Sequence, residues 1–355
     1  MTLRSAIRGV TRTAFLTANE ALDRLPPPLK DSALRGLSQL PYERRLPTFL
    51  MLEPTNACNL HCPLCPVGAR VMERKLGLID RQKYERLIDE VAVSVKQIVM
   101  NFAGEPLLHP EIGRLVAHAR SRGIAVTIGT NGTHDKTAEL LDAGTSEILF
   151  AVDGLTQETY GQYRVGAQLD KVLAHLHTLT EEKRRRGGGP RIVLQFVVMK
   201  HNEHEIPELM KLAETTGADE VALVPVIVND FFSKPRSELT EQYLSSIRRF
   251  QQYRMGRHGP RPIKPALCNW AFQSVILYNG DVAMCCFDYD GRTVVGNAFE
   301  EGFYRIWKSD RYRAVRRGIV QQKIRLCREC DFSLVKPLRI EVGSPAFQVW
   351  KNGHP

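Results

Sequence analysis

The chain has 355 residues, a formal net charge of +10, and hydrophobic and charged contents of 43% and 25%. These proportions are typical of a globular protein, and the length suits one large α/β domain with a smaller one beside it. The positive charge favours anionic partners. However, the basic residues are scattered and form no stripe interleaved with aromatic residues, so the composition disfavours a nucleic-acid-binding protein.

The eight cysteines indicate metal binding or redox chemistry. They are grouped at short spacings, whereas a secreted disulfide framework spreads its cysteines along the chain. No apolar run approaches the roughly 20 residues that span a bilayer. The basic residues at the start are not followed by the continuous apolar core of a signal peptide. We therefore expect a cytoplasmic protein.

Residues 1–46 predict a helical extension. Apolar residues from Leu3 to Leu25 recur at near-helical spacing, the prolines at 26–28 end this helix, and a second amphipathic segment covers residues 30–40. A basic amphipathic helix over residues 1–25 could contact a membrane surface. Such helices more often pack on their own protein or on a second subunit, and this is what we expect here.

Residues 47–227 alternate short apolar runs with longer amphipathic ones. The alternation predicts six parallel strands with helical crossovers, either as a partial barrel or as a doubly wound sheet. The predicted strands cover residues 49–52, 97–102, 125–129, 147–152, 192–199 and 220–226. The predicted helices cover residues 81–93, 111–122, 135–143, 169–186 and 205–216. No glycine-rich dinucleotide motif and no Walker loop interrupts the pattern.

The first predicted strand is followed by a cysteine loop with the spacing Cys58-x3-Cys62-x2-Cys65. Proline and asparagine flank the cysteines, which predicts a loop and not a helix or strand. Three thiolates on one loop can hold three irons of a cubane iron–sulfur cluster and leave the fourth iron open to a ligand. The alternatives are a zinc site that adds His61, and three unrelated buried cysteines.

Polar turns follow the next three predicted strands. They are the turns at residues 103–106, 130–132 and 153–154. In parallel α/β folds, ligands collect beyond the carboxyl ends of the strands, so we expect these turns and the cysteine loop to form one site. Gly104 permits close backbone approach, and Glu105 and Asp153 can pair with an ammonium group or ribose hydroxyls.

The cysteine loop and the turns at residues 103–106 and 153–154 together resemble the radical S-adenosylmethionine (SAM) superfamily. The resemblance covers residues 47–227 and implies a partial (β/α)6, TIM-like barrel. It implies a [4Fe-4S] cluster on Cys58, Cys62 and Cys65 whose open iron binds SAM. One-electron reduction, from a flavodoxin- or ferredoxin-type donor, cleaves SAM to methionine and a 5′-deoxyadenosyl radical, which abstracts a hydrogen atom from the substrate. The protein supplies orientation and protection from water.

The same resemblance implies roles for residues at the strand ends. Gly104 and Glu105 would hold the amino group of SAM, and Thr130 and Asn131 would lie along the cofactor. The first glycine of the usual Gly-Gly-Glu-Pro turn is replaced by Ala103. This replacement is small, so the turn is expected to survive.

Two further roles follow from the resemblance. Asp153 would lie near the ribose of SAM, and Arg164 near its carboxylate. The serine that usually stands two residues before the aspartate is Ala151 here. Ala151 therefore removes a possible hydrogen bond to the ribose.

A second set of cysteines begins at Cys268 and continues with Cys285, Cys286, Cys327 and Cys330. The segment between the first two predicts a β-hairpin with an Asn-Gly turn. Four of these cysteines could form a closed site for structural zinc or for a fully ligated iron–sulfur cluster, and spacing alone does not separate the two.

The second set resembles the SPASM and shorter twitch extensions of radical SAM enzymes. Those extensions bind auxiliary [4Fe-4S] clusters, and four cysteines suffice for one: Cys268, Cys285, Cys327 and Cys330. This is similar to the twitch arrangement of aminocyclitol dehydrogenases. Cys286 is then either a partly buried neighbour of a ligand or a hydrogen-atom donor, as in radical epimerases. An alternative register makes Cys286 the ligand and frees Cys285.

These patterns predict five segments: a helical extension (1–46), a radical SAM barrel (47–227), a helical connector (228–265), an auxiliary-cluster domain (266–335) and a tail over the barrel mouth (336–355). We expect oxidation or epimerisation of a small hydroxylated or amino-sugar-type substrate. Peptide or protein modification is an alternative, against which residues 1–46 are too few for a winged-helix peptide-recognition domain. A zinc or iron–sulfur scaffold without catalysis is the alternative of another class.

Overall fold

The computed structural model describes residues 21–22, 24–38, 45–228, 236–256, 259–262, 264, 266–330 and 337–353. Most of the segment considered for membrane contact, residues 1–25, lies outside these ranges. No helix within them is both long enough and apolar enough to cross a bilayer. The second predicted amphipathic segment is confirmed as helix α1 (Pro27–Ser38), which begins within the proline run.

Six parallel strands form the centre of the molecule, as the alternating pattern predicted. They are β1 (Phe49–Leu52), β2 (Gln97–Met100), β3 (Ala125–Thr130), β4 (Glu147–Ala151), β5 (Arg191–Val198) and β6 (Glu220–Pro225). Each strand pairs with the next in sequence order. The carboxyl ends of all six therefore lie at the same edge of the sheet.

Helices connect these strands and cover one face of the sheet. They are α2 (Arg81–Val91), α3 (Ile112–Ser121), α4 (Thr137–Asp142), α5 (Gln157–Tyr163), α6 (Leu169–Arg185) and α7 (Ile206–Thr216). The sequence pattern missed α5, whose seven residues are too few for a clear helical period. Apolar residues of the helices pack on alternate strand residues, such as Ile192 and Leu194, to form the main hydrophobic core.

The opposite face of the sheet carries charged side chains near the amino ends of the strands. Arg191 pairs with Glu220 at 2.7 Å, and Arg339 pairs with Glu147 at 2.6 Å. A doubly wound sheet would bury apolar residues under helices on both faces. The ion-paired inner face therefore favours the partial barrel over the doubly wound alternative.

The connector after β6 differs from the helical segment that we predicted. It contains a short helix, α8 (Arg236–Tyr243), and then a hairpin of β7 (Tyr253–Gly256) and β8 (Gly259–Pro262). Connector residues pack against the ends of β5 and β6 in a small apolar core. That core joins Leu64, Met199, Val226, Val228, Leu239, Tyr243 and Tyr253.

The predicted hairpin of the auxiliary region is confirmed as β9 (Ser274–Ile276) and β10 (Asp281–Ala283), followed by β11 (Val294–Asn297). β9 also pairs in parallel with β1, so the auxiliary strands extend the barrel sheet directly. Short helices follow: α9 (Ala298–Glu301), α10 (Phe303–Trp307), α11 (Asp310–Val320) and α12 (Arg325–Glu329). A second large core joins this region to apolar residues of α1, such as Leu34 and Leu37.

The tail does not lie over the barrel mouth as we expected. Its strand β12 (Leu338–Glu341) pairs antiparallel with β6, and its helix α13 (Pro345–Lys351) packs on α7. Ile340 and Phe347 join the main core. The ten-stranded sheet therefore runs in the order β11-β10-β9-β1-β2-β3-β4-β5-β6-β12.

A buried ion pair joins the end of β1 to the auxiliary hairpin. Arg74 donates to both carboxylate oxygens of Glu53, at 2.8 and 2.6 Å, and to the carbonyl of Tyr289 at 2.5 Å. Glu53 is fully buried and also accepts the backbone N–H of Tyr278. Removal of one partner of a buried ion pair leaves an uncompensated charge, at a cost of about 3–5 kcal/mol.

We expect Arg74→Met to lower the free energy of unfolding by about 3–5 kcal/mol, because the fully buried Glu53 loses its ion-pair partner. Denaturant unfolding followed by circular dichroism measures the change. The matched control is Arg81→Met, since Arg81 pairs with Glu85 on the surface, where such pairs contribute less than about 1 kcal/mol. Equal destabilisation by the two substitutions would show that the buried pair does not join the two regions.

Candidate functional site

The three cysteines of the first loop lie beyond β1 at the carboxyl edge of the sheet. Cys62 is buried, and Cys58 and Cys65 are half-buried. The loop turns tightly, with the N–H of Cys65 donating to the carbonyl of Cys62 at 3.1 Å. A Cβ on Gly68 would lie 2.4 Å from the nitrogen of Cys62, so only glycine lets this part of the chain pack behind the cysteine.

Thiolates at these three positions would repel one another. Burial raises the pKa of Cys62 to about 12, and negative charge on Cys65 and Cys58 raises it as well. Burial also raises the pKa of Cys58, and Glu105 and Cys65 add to the effect. Deprotonation of these thiols is therefore favoured by a positively charged partner. These residues therefore fit a cationic iron–sulfur core.

The zinc alternative required His61 as a fourth ligand. The side chain of His61 is exposed, and its backbone N–H donates to the carbonyl of Val165 at 2.9 Å. Within the part of the chain that the structure describes, no group of three or more His, Cys, Asp or Glu side chains is arranged around the position of a single metal ion.

The turn after β2 packs directly on the cysteine loop. Gly104 has φ +75°, and a Cβ there would lie 2.5 Å from the carbonyl oxygen of Thr55 and 2.6 Å from that of Ala57. The N–H of Glu105 donates to the Ala57 carbonyl at 2.8 Å. Position 104 thus needs glycine both for its backbone conformation and for this close approach.

Glu105 holds the ends of β2 and β3 together. Its side chain is 2% exposed, and one carboxylate oxygen accepts the hydroxyl of Thr130 at 2.8 Å and the N–H of Leu107 at 3.0 Å. The other oxygen accepts the N–H of Asn131 at 2.7 Å. Burial raises the pKa of Glu105, and these hydrogen bonds oppose the rise. Three of about four acceptor positions are therefore filled by the protein.

Asn131 connects the same turn to the cysteine loop. Its side-chain amide donates to Asn59 at 3.1 Å and points toward the Sγ of Cys58 at 3.8 Å. The structure thus brings together Gly104, Glu105, Thr130 and Asn131, the residues that the sequence placed in one site.

Asp153 and Arg164 form a pair at the end of β4. Asp153 is fully buried and accepts two hydrogen bonds. One comes from Nε of Arg164 at 2.5 Å, and the other from the backbone N–H of Val197 at 2.6 Å. Arg164 points its Nη1 toward the Sγ of Cys62, at 3.9 Å. The pair lies at the predicted rim, and its contacts include a cysteine of the first loop and the backbone of β5.

Sequence reasoning missed Asn202, which follows β5 and anchors Asp153. Its side-chain amide donates to the carbonyls of Asp153 and Val197, at 3.1 and 2.9 Å, and its oxygen accepts the N–H of Met199. A polar residue just beyond a buried strand was the available signal. Asn202 follows β5 in the same way that the identified polar turns follow β2, β3 and β4.

Four cysteines of the second set line one apolar cavity. Its wall consists of Cys268, Cys285, Cys327 and Cys330 with Lys264, Trp270, Met284, Phe287, Ile319, Gln322 and Leu326. Lys264 donates to the carbonyls of Cys327 and Arg328, at 3.0 and 2.5 Å, and so fixes the turn that carries the last two cysteines.

The thiols of this cavity resemble those of the first loop electrostatically. Burial raises the pKa of Cys268 to about 12 and that of Cys327 to about 11. In both cases negative charge on Cys330 raises the pKa further. Cys286 does not line the cavity, although it lies close enough to Cys268 and Cys330 for their charges to affect its pKa. This cavity also fits a cationic cluster held by four thiolates.

Two family models match the chain. Residues 52–213 match the radical SAM superfamily, and residues 268–331 match the SPASM iron–sulfur cluster-binding domain. These ranges contain the first cysteine loop with its strand-end turns and the second cysteine set, respectively.

Curated relatives agree with these matches. A Fe-coproporphyrin III synthase from Methanosarcina barkeri is 30% identical over 164 residues, which are 45% of this chain and 39% of that protein. An AdoMet-dependent heme synthase from the same organism is 29% identical over 48% of each chain. This chain thus spans about half or less of the length of these two relatives. A PqqA peptide cyclase from Streptomyces rochei is 26% identical over 308 residues, 80% of this chain and 82% of that protein.

Solved structures share the fold at low sequence identity. Streptococcus suis SuiB has a TM-score of 0.59 at 17% identity, covering 81% of this chain and 72% of SuiB. The structure of anSMEcpe with bound AdoMet has a TM-score of 0.54 at 16% identity, covering 80% and 85%. These likenesses confirm the α/β fold with a partial barrel. The chain therefore contains a radical SAM domain and, C-terminal to it, a SPASM domain, and these two domains imply SAM and [4Fe-4S] clusters as cofactors.

Proposed function

We propose that the protein oxidises its substrate, and that Cys58, Cys62 and Cys65 hold the cluster that binds SAM. The observation that carries this proposal is the packing of three thiols, one buried and two half-buried, against the Gly104 turn at the carboxyl edge of the sheet. Bound there, such a cluster would supply reductive cleavage of SAM and, through it, removal of a hydrogen atom from the substrate, and a cluster on the second cysteine set would take up the electron that the substrate then loses.

The rim residues bind and orient SAM in this proposal. Gly104 leaves room for the backbone to approach the amino group, and one acceptor position of Glu105 is left by its protein donors and would serve the same group. Thr130 and Asn131 lie along the cofactor, in positions that their hydrogen bonds to Glu105 fix. We assign Asp153 to the ribose side of the site.

We assign Cys268, Cys285, Cys327 and Cys330 as the ligands of the auxiliary cluster. All four line the same cavity, and Cys286 does not, which favours Cys285 over Cys286 as the ligand. The domain boundaries that we propose, 47–227 for the barrel and 266–335 for the auxiliary region, place one cluster in each unit. An external flavodoxin- or ferredoxin-type protein would supply the first electron.

The position of Cys286 supports oxidation over epimerisation. A hydrogen-atom donor has to reach the substrate at the barrel mouth. The charges that raise the pKa of Cys286, besides its burial, are those of Cys330 and Cys268, so it lies beside the proposed ligands of the auxiliary cluster. In oxidation the substrate loses one hydrogen atom, then one electron and one proton, and needs no thiol donor.

A small hydroxylated or amino-sugar-type molecule is our first candidate substrate. The connector core, with Leu64, Met199 and Tyr243, fills the side of the mouth near β5 and β6 and narrows the approach. A peptide is the second candidate. It is favoured by the PqqA peptide cyclase relative, which aligns over 80% of this chain, and by SuiB, which was solved with its precursor peptide SuiA.

The release of 5′-deoxyadenosine from SAM, followed by chromatography, tests the proposal. With a strong reductant, anaerobically reconstituted protein is expected to release it slowly alone and faster with the correct substrate. Panels of aminocyclitols, amino sugars and short peptides are compared with an equal panel of unrelated metabolites. Stimulation by peptides alone would replace the first candidate with the second. Reconstituted protein that is fully loaded with iron but does not cleave SAM would contradict the proposed reaction.

The two cysteine sets predict separable iron content. We expect about eight irons in the reconstituted chain, and about four after Cys58, Cys62 and Cys65 are all changed to Ala, with SAM cleavage lost. Changing Cys268, Cys285, Cys327 and Cys330 to Ala should also leave about four irons, but with SAM cleavage retained. Iron and zinc are measured by elemental analysis. Zinc in place of iron in either set would contradict that assignment.

Cys286→Ala separates oxidation from epimerisation. Oxidation predicts unchanged iron content and substrate turnover, because Cys286 neither binds the cluster nor meets the substrate. Epimerisation predicts that SAM is still cleaved while product formation is lost. Cys285→Ala is the matched comparison, since loss of a ligand is expected to lower the iron content by up to about four atoms.

A further inference from the structure

The geometry around Arg164 points to a function other than binding the SAM carboxylate. We propose that the Asp153–Arg164 pair positions Cys62 and makes the cluster on the first loop easier to reduce. This inference rests on the proposed ligation of that cluster by Cys58, Cys62 and Cys65.

The guanidinium of Arg164 is held by Asp153 at Nε and contacts Cys62 through Nη1. Nε donates to Asp153 at 2.5 Å, and the side chain of Arg164 is only 14% exposed. Asp153 is in turn fixed by the N–H of Val197 at 2.6 Å and, through its carbonyl, by Asn202 at 3.1 Å. The pair is therefore anchored to β4 and β5 and cannot follow a cofactor freely.

Nη1 of this anchored guanidinium points at Cys62 Sγ, 3.9 Å away. The backbone reinforces the approach, because the N–H of His61 donates to the carbonyl of Val165 at 2.9 Å. The end of α5 is thus attached to the cysteine loop by one main-chain hydrogen bond and one side-chain contact. This arrangement fixes where the Cys62 sulfur lies.

The net field of the pair at the sulfur is positive. Arg164 reaches Sγ through Nη1 at 3.9 Å, whereas the carboxylate of Asp153 binds the Nε of Arg164. Reduction adds one negative charge to a cluster. A cation and an N–H donor beside a ligand sulfur stabilise that charge, so they raise the reduction potential.

The test is an anaerobic potentiometric titration followed by electron paramagnetic resonance (EPR), without SAM. The signal of the first cluster is identified as the one that changes when SAM is added afterwards, because only that cluster has an open iron. For Arg164→Gln we expect the ratio of reduced to oxidised cluster at a fixed potential to fall about tenfold, or about 59 mV for a one-electron couple.

Two further variants guard against loss of folding. Asp153→Asn/Arg164→Gln leaves no unpaired buried charge and should fall between wild type and Arg164→Gln. Arg164→Lys keeps the charge and should stay closest to wild type. The control is Arg114→Met, on the outside of α3 with a side chain that is 70% exposed, which should leave the potential unchanged.

An unchanged reduction potential of the first cluster in the variants would overturn the proposal, whether or not the variants take up less iron. The Asp153–Arg164 pair would then have only a structural role. An unchanged potential with weakened SAM binding would assign Arg164 to the cofactor instead. Wild-type protein without an EPR signal that responds to SAM would overturn the proposed cluster itself. The two failures are thus distinguished in the same experiment.

Discussion

Two buried carboxylates hold the rim of the barrel in one geometry. Glu105 joins the ends of β2 and β3, and Asp153 joins the end of β4 to β5 and to Arg164. A buried carboxylate is costly unless protein donors fill its acceptor positions, and here N–H and O–H groups fill most of them. The same contacts bring the strand ends against the cysteine loop, so the fold and the site depend on one set of hydrogen bonds.

The cysteine thiols set the electrostatic character of the two proposed cluster sites. Each cysteine set combines one buried cysteine with half-buried ones, and within each set the thiolates raise one another's pKa. A cationic partner would stabilise thiolates in both sets, and an iron–sulfur core is such a partner. The surroundings differ, because the first set faces polar turns and a guanidinium whereas the second lines an apolar cavity. This difference suits an open cluster that binds a cofactor and a closed one that transfers electrons.

The local pattern of apolar and polar residues was sufficient to predict the six parallel strands and five of the helices between them. It also brought Glu105, Thr130 and Asn131 together, because parallel strands necessarily share their carboxyl edge. It failed where distant segments meet. The pairing of β12 with β6 and of β9 with β1 joins residues more than 100 positions apart, which no periodicity reports. The contact of Arg164 with Cys62 was missed for the same reason, since it depends on how α5 packs on the loop.

The central claim is that SAM binds at an iron held by Cys58, Cys62 and Cys65. Electron–nuclear double resonance on the reduced protein tests it most directly, with SAM labelled by ¹⁵N in its amino group and ¹⁷O in its carboxylate. We expect hyperfine coupling from both labels, and we expect it to remain when Cys268, Cys285, Cys327 and Cys330 are changed to Ala. A reduced first cluster with bound SAM but without coupling from either label would contradict it.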